Sequence, residues 1–264
     1  MNKNPTGWSG NSDLDSALVQ EFTSSGIWVK PQRGTYFFVE CIGGGGGGGS
    51  GDRGASLTLR NGGASANSGA YCARFGLLSL LGATEIVTIG IGATGALAVT
   101  TDNTVGGSAT TGGTTSFGSI VYALGGGANV SFRGSALFAY GYVGVAGSNV
   151  GNNTPYGPGG SGKGGQISAL DAVGTGNGGG QGFTFRKSYS TITAGSGGVV
   201  NGGNGTGYGD SGGGGNASIT GNATNGGNGA FPGGAGGGGG ASANGFSSGS
   251  GGNGANGFAR IWTW

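Results

Sequence analysis

Phe38-Val-Glu-Cys-Ile-Gly-Gly-Gly-Gly-Gly47 decides how this chain is read, because a β-rich segment runs straight into a glycine run that lasts to Gly49. Glycine has no side chain to bury and loses more backbone freedom on folding than any other residue. It supplies 75 of the 264 residues, with a further run from Gly236 to Gly240. Such a chain either stays disordered or packs its backbones directly against one another. Disordered chains are poor in aromatic residues and rich in charge. This one is 9% aromatic, 34% hydrophobic and only 8% charged. Its rings stand between the glycine runs, as in Tyr140-Gly-Tyr142, Gly182-Phe-Thr-Phe185 and Ala230-Phe-Pro-Gly233. The composition therefore predicts order.

Glycine-rich chains can take up an extended left-handed helix of about three residues per turn with no internal hydrogen bonds. Side by side, such helices can bond to one another and so satisfy buried N–H and C=O groups. Collagen needs a strict Gly-X-Y triplet and abundant proline. Here proline totals 5, and the triplet of Gly251, Gly254 and Gly257 gives way elsewhere to the alternation of Gly203, Gly205, Gly207 and Gly209. Collagen is excluded on that ground.

Residues 1–17 read as a polar arm whose one aromatic group is Trp8, placed either to attach to a partner or to fold back on the domain. From residue 18 to 124 the pattern is β. Phe22-Thr-Ser-Ser-Gly-Ile-Trp-Val-Lys-Pro31 reads as strand, turn and strand, and Thr35 to Ile42 as a strand. Further strand candidates are Ser56 to Arg60, Ala70 to Phe75, Glu85 to Ile91 and Thr115 to Ala123. At the other end, Phe258, Arg260, Trp262 and Trp264 alternate with Ala259, Ile261 and Thr263, the period of a strand. Residues 257–264 are thus expected to complete the 18–124 module. Between them, 125–256 holds most of the long glycine tracts. These are interrupted by richer segments at Val130–Val150, Gln166–Val173, Phe183–Ala194, Asn216–Asn225 and Ala241–Ser250, expected to be turns. The fold class expected is mainly β: a β-sandwich-like module closed by N- and C-terminal strands, with an inserted bundle of packed polyglycine II-type helices.

The bulk numbers narrow the function. A formal net charge of +2 from scattered basic residues is no footprint of a nucleic-acid binder. The longest apolar stretch, about Phe75 to Leu81, is far short of a membrane span, and Met1 to Trp8 lacks the apolar core of a signal peptide. Synthesis in a cytosol is expected, which favours Cys41 and Cys72 as two buried free thiols and leaves a disulfide between them as the alternative. There is no histidine, which removes the commonest general base and His metal sites. The carboxylates are dispersed; no enzyme, cofactor or metal is expected. Gly157-Pro-Gly-Gly-Ser-Gly-Lys163 matches the start of a phosphate-binding loop, but Gly164 stands where Ser or Thr should hold the metal. Asn152, Asn204, Asn216 and Asn222 begin glycosylation-like triplets that mean nothing without a secretory route.

The order of the features is similar to that of a glycine-rich domain common in bacteriophage tail proteins. The start of that domain reads F-T-x-x-G-x-W-x-x-P, followed by a strand whose last apolar residues enter a glycine tract. Phe22 to Pro31 and Phe38 to Gly47 resemble it, as do Ile86-Val-Thr-Ile-Gly-Ile-Gly-Ala93, Gly113-Thr-Thr-Ser-Phe-Gly118 and the ending Gly254-Ala-Asn-Gly-Phe-Ala-Arg-Ile261. The back half also resembles the tip adhesins of T-even-type phages, although the longer N-terminal attachment region of that family is missing. The resemblance implies a virion protein at the distal end of a tail fibre, made in the host cytoplasm. It would bind a bacterial outer-surface receptor, either an outer-membrane protein or a polysaccharide, and would attach to another tail-fibre or tail protein.

Tyrosine gives rigid, amphipathic contact area at low entropic cost, and binding loops favour it. Tyr140, Tyr142, Tyr156, Phe183, Phe185, Tyr189 and Tyr208 sit in or beside the interrupting segments, with Arg186 and Lys187 adding charge. These nine residues are the expected receptor-binding set, and Trp8 the expected fibre-attachment residue. Phe231 and Phe246 are expected instead to cap the glycine-rich scaffold. The main rival is a structural virion protein, a tail or capsid decoration component, without a receptor of its own. An ice-binding protein would need a flat face and a strict triplet. Homo-oligomerisation stays open.

Overall fold

The computed structural model describes residues 17–127, the backbone of 141–142, and residues 160–180, 202–205 and 208–264. Two antiparallel sheets face each other near the chain ends. The first has the order β1 (Leu18–Phe22), β11 (Phe258–Thr263), β3 (Tyr36–Ile42), β5 (Tyr71–Leu77) and β9 (Gly141–Tyr142). The second runs β2 (Gly26–Val29), β6 (Thr84–Thr88), β7 (Thr115–Phe117), β8 (Val121–Ala123), and a short parallel pair joins β4 (Arg53–Gly54) to β10 (Ser242–Ala243). The alternation in the sequence sets which side chains meet between them. Phe37, Val39 and Cys41 of β3 and Ala259 and Ile261 of β11 turn inward, against Trp28, Val87, Phe117 and Val121. Trp28 meets Phe117 edge to face, 5.4 Å between ring centres. The expected pairing of the two ends of the chain is present: Phe258 lies opposite Ile42, and Thr263 opposite Phe37. Cys41 and Cys72 face each other across β3 and β5 as free, buried thiols. Burial, more than any neighbouring charge, pushes the Cys41 thiol far up.

At Ile42 the chain leaves the sheet and enters the glycine run, where the bonding changes. The N–H groups of Gly43, Gly46 and Gly49 donate to Ala70, Asn67 and Ala64; those of Gly44, Gly47 and Ser50 to Gly113, Thr110 and Gly107; those of Gly45, Gly48 and Gly51 to Ala255, Gly252 and Gly249. One tract thus bonds to three neighbouring tracts, taking each in turn every third residue. The pattern repeats through the molecule as the chain runs outward from the sheets and back. Outward runs include 91–100, 160–167, 211–217 and 234–241; returning runs include 61–70, 104–113, 173–180, 223–229 and 247–257.

The inserted helix bundle is corrected by this arrangement. Among the described residues there is no α-helix, only a 3-10 turn at Leu78–Leu80, and strands make up about 26% in small sheets. The glycine tracts carry no hydrogen bonds of their own along the segment; each is held by its neighbours. Nor are they an insertion, because the lattice begins at Gly43, next to the first sheet, and takes tracts from most of the chain. The reason lies in glycine itself: with no side chain to mark a face, a tract is fixed by backbone bonds to whichever tracts lie beside it.

Asparagine side chains add acceptors along the described tracts. The Oδ1 atoms of Asn222, Asn225 and Asn228 accept from the N–H groups of Ser247, Ser250 and Asn253 at 2.9, 2.9 and 2.7 Å. Asn253 and Asn256 do the same for Gly95 and Gly92. The side-chain carbonyl takes the place of a backbone carbonyl and satisfies the donor. Three of the four glycosylation-like asparagines, Asn204, Asn216 and Asn222, act in this way; Asn152 lies outside the described residues.

Candidate functional site

The outward tracts turn back at the end of the lattice farthest from the sheets, and five turns gather there. They lie at 55–58, 101–103, 168–171, 219–221 and 243–246. Polar contacts tie them into one platform. The Arg53 side chain donates to the Asp102 carboxylate at 2.7 Å, and Asp102 also accepts from the Gly245 N–H at 3.0 Å. Asn103 and Asn244 exchange two bonds of 3.1 and 3.0 Å. The Asn244 N–H donates to the Gly54 carbonyl, and the Ala243 N–H to that of Ser218. The 168–171 turn joins through Asp171, whose carboxylate accepts from the Ser56 hydroxyl, the Leu57 N–H and the Arg60 guanidinium. Arg60 is buried under the turn, 1% exposed, and also donates to the Thr58 carbonyl at 3.1 Å.

Three non-glycine residues have a positive φ among the described residues, and all three are in these turns: Leu57 at 56°, Asn103 at 53° and Asp171 at 57°. The left-handed region is unfavourable for a leucine. It persists at Leu57 because Ser56, Leu57 and Arg60 all converge on one carboxylate. The platform meanwhile presents large apolar side chains to solvent. Leu170 is 85% exposed, Leu57 68% and Leu59 58%. Left-handed backbone, a locking network and exposed leucines coincide at these turns, whereas Leu97, Val105 and Ile91, exposed to a similar degree, lie outside them.

The two carboxylates that lock the platform titrate low. The Gly245 N–H, with Arg53, lowers the Asp102 pKa; the Ser56 hydroxyl, with Arg60 and the Leu57 N–H, lowers that of Asp171. A depressed pKa in the folded state means that these contacts stabilise the turns above the ordinary carboxylate value. That contribution is lost as the pH falls through the folded value. The amide resonances of Leu57 and Gly245 should therefore shift on acidification with midpoints below 3.8, the ordinary aspartate value. Midpoints at or above it would mean that the carboxylates do not hold the turns.

Most of the binding residues expected from the sequence are not among the described residues. Tyr140, Tyr156, Phe183, Phe185, Arg186, Lys187, Tyr189 and the attachment residue Trp8 fall outside the described residues, and Tyr142 is described only by its backbone, in β9. Tyr208 is half-buried and packs on the cluster of Ile42, Tyr71, Ala73 and Phe258. Phe231 stands edge to face with Phe258 at 5.8 Å. The phosphate-loop-like stretch is part of the lattice from Gly160 onward: the N–H groups of Gly162 and Gly164 are spent on the carbonyls of Gly212 and Gly63. No group of three metal-ligating side chains occurs among the described residues, and none of their helices is long and apolar enough to cross a membrane.

A profile described as a glycine-rich domain matches residues 21–263. No curated protein matches the chain.

Proposed function

The chain belongs to the glycine-rich domain family, and from that premise we propose that it is a bacteriophage tail-fibre tip protein that recognises a receptor on the bacterial surface. The observation that carries this reading is the platform of five turns, with Leu57, Leu59 and Leu170 exposed on a network anchored by Arg60 and Asp171. It acts by binding, not by catalysis. A loop already held in its bound form loses less entropy on contact, and a lattice bonded from tract to tract holds its turns in that way. The protein sits at the far end of the fibre, with the turns toward the cell. The segments around Tyr140–Tyr142 and Phe183–Tyr189 are a second proposed contact, in which Arg186 and Lys187 meet anionic groups of the surface.

Purified protein should bind host cells and compete with phage for them. Leu170→Asp should weaken adsorption by more than tenfold, in line with hot spots of ~2 kcal/mol or more, while melting like the parent. Leu57→Gly relieves the left-handed backbone and removes the side chain, so it should weaken binding without loss of stability. Phe185→Ala tests the second contact in the same assay. A structural virion protein is indicated instead if folded protein neither binds cells nor blocks adsorption and all three variants infect normally.

A further inference from the structure

The first sheet ends at β1, which pairs with β11 on one side only. Alternate N–H and C=O groups along Leu18–Phe22 therefore face no strand among the described residues. Exposed edges are usually guarded by lysine, proline or a bulge. The sequence Leu-Val-Gln-Glu-Phe has no lysine or proline. Leu18 and Val19 are 55% and 48% exposed.

At Leu18 this edge opens into a groove of about 600 Å3, whose lining includes Arg33, Tyr36 and Trp264. Tyr36 stacks on Phe75 at 5.4 Å between ring centres, and Trp264 lies 5.9 Å from Phe75. Phe75 and Leu77 are also about half exposed. Aromatic rings beside an arginine are the composition enriched in protein interfaces. Arg33 lines the groove and pairs with no acidic side chain among the described residues. The whole feature lies at the end of the sheet remote from Ile42, and so opposite the five turns.

We propose that the β1 edge and this groove dock an extended, carboxylate-bearing segment of another protein chain, which adds to the sheet as a further strand. Main-chain bonds to β1 supply affinity, the aromatic groove takes an apolar side chain, and Arg33 takes the carboxylate. The proposal rests on the adhesin reading for its biological sense: a tip that meets the cell with one end must be held by the other.

The test uses the full chain and a synthetic hexapeptide of alternating valine and threonine that ends in glutamate. Two control peptides carry N-methyl groups on the amides that would face β1 or lysine in place of glutamate. Tryptophan fluorescence and the amide shifts of Val19 and Gln20 report binding. Saturable binding is expected, weakened at least tenfold by N-methylation, by the lysine replacement and by Arg33→Glu. No saturable binding up to millimolar peptide, or equal binding of the N-methylated peptide, overturns the proposal. So does a dimer of the protein that the peptide dissociates, which would make a second copy the occupant. Binding seen only after removal of residues 1–16 overturns it as well, because the chain then fills its own edge. None of these readouts involves cells, so a failure here is distinct from a failure of receptor binding.

Discussion

Gly238→Val should destabilise the protein by ~3 kcal/mol, the upper end of the usual overpacking range, or more. A Cβ on Gly238 would stand 2.0 Å from the Gly63 oxygen and 2.6 Å from its carbon, where real Cβ atoms do not come closer than 3.0 Å. A flexible side chain could move aside; this carbonyl cannot, because it accepts from the Gly164 N–H at 3.0 Å. Moving it breaks that bond and displaces a tract that is itself wedged, since a Cβ on Gly63 would meet the Gly49 oxygen at 2.0 Å. Gly179→Val should behave alike, its Cβ falling 2.1 Å from the Ser211 oxygen. In a chain of this size, ~3 kcal/mol corresponds to a fall of roughly 6–12 °C in Tm. Gly221→Ala is the control: its nearest neighbour is the Ser218 hydroxyl at 4.0 Å, and the change should stay within ~0.5 kcal/mol. Equal melting of all three variants would make the tracts loose linkers and remove the rigid support on which the tip depends.

That dependence on backbone contact explains what could be read from the sequence. Strands announce themselves by side chains, so Tyr36–Ile42 and Phe258–Thr263 were legible through their alternation, and their pairing followed. Three of the five distal turns were visible as the interruptions Gln166–Val173, Asn216–Asn225 and Ala241–Ser250. The order of the tracts was not legible. A glycine tract looks alike from every side, so no residue pattern says that Gly45 bonds to Ala255 or Gly43 to Ala70. The expectation of a separate bundle arose from counting where glycine is densest. Ser56–Arg60 was misread for the converse reason. Leu57 and Leu59 alternate with Thr58 as in a half-buried strand, yet both leucines point to solvent and Arg60 is the buried residue. Its partner Asp171 is 111 positions away, a pairing without any local signal. Leu57, Leu59 and Leu170 carry no aromatic signal that would mark these turns in the sequence.

Removal of residues 258–264 should abolish cooperative folding. β11 is an internal strand, bonded to β1 on one side and β3 on the other. Without it β1 has no neighbour, and the inward faces of Phe37 and Val39 lose Ala259 and Ile261, both essentially inaccessible to solvent. Truncation of one buried isoleucine to alanine already costs ~2–5 kcal/mol, against a total stability of ~5–15 kcal/mol for a domain. The loss extends past the sheet. The Trp264 carbonyl accepts from Thr35 and Tyr36 at 2.6 and 2.9 Å, which fixes the start of β3. The returning tract 247–257, which supplies every third partner of the Gly43–Gly51 run, would end free instead of being held by a strand. Because sheet and lattice share that tract, the damage should spread to the whole molecule. Calorimetry of the truncated chain should show no sharp transition, and Ile261→Asp in the full-length chain should come close to the same result. A truncated protein that melts like the full chain would mean that the lattice folds without its terminal strand, and that the sheet is carried by it and not the reverse.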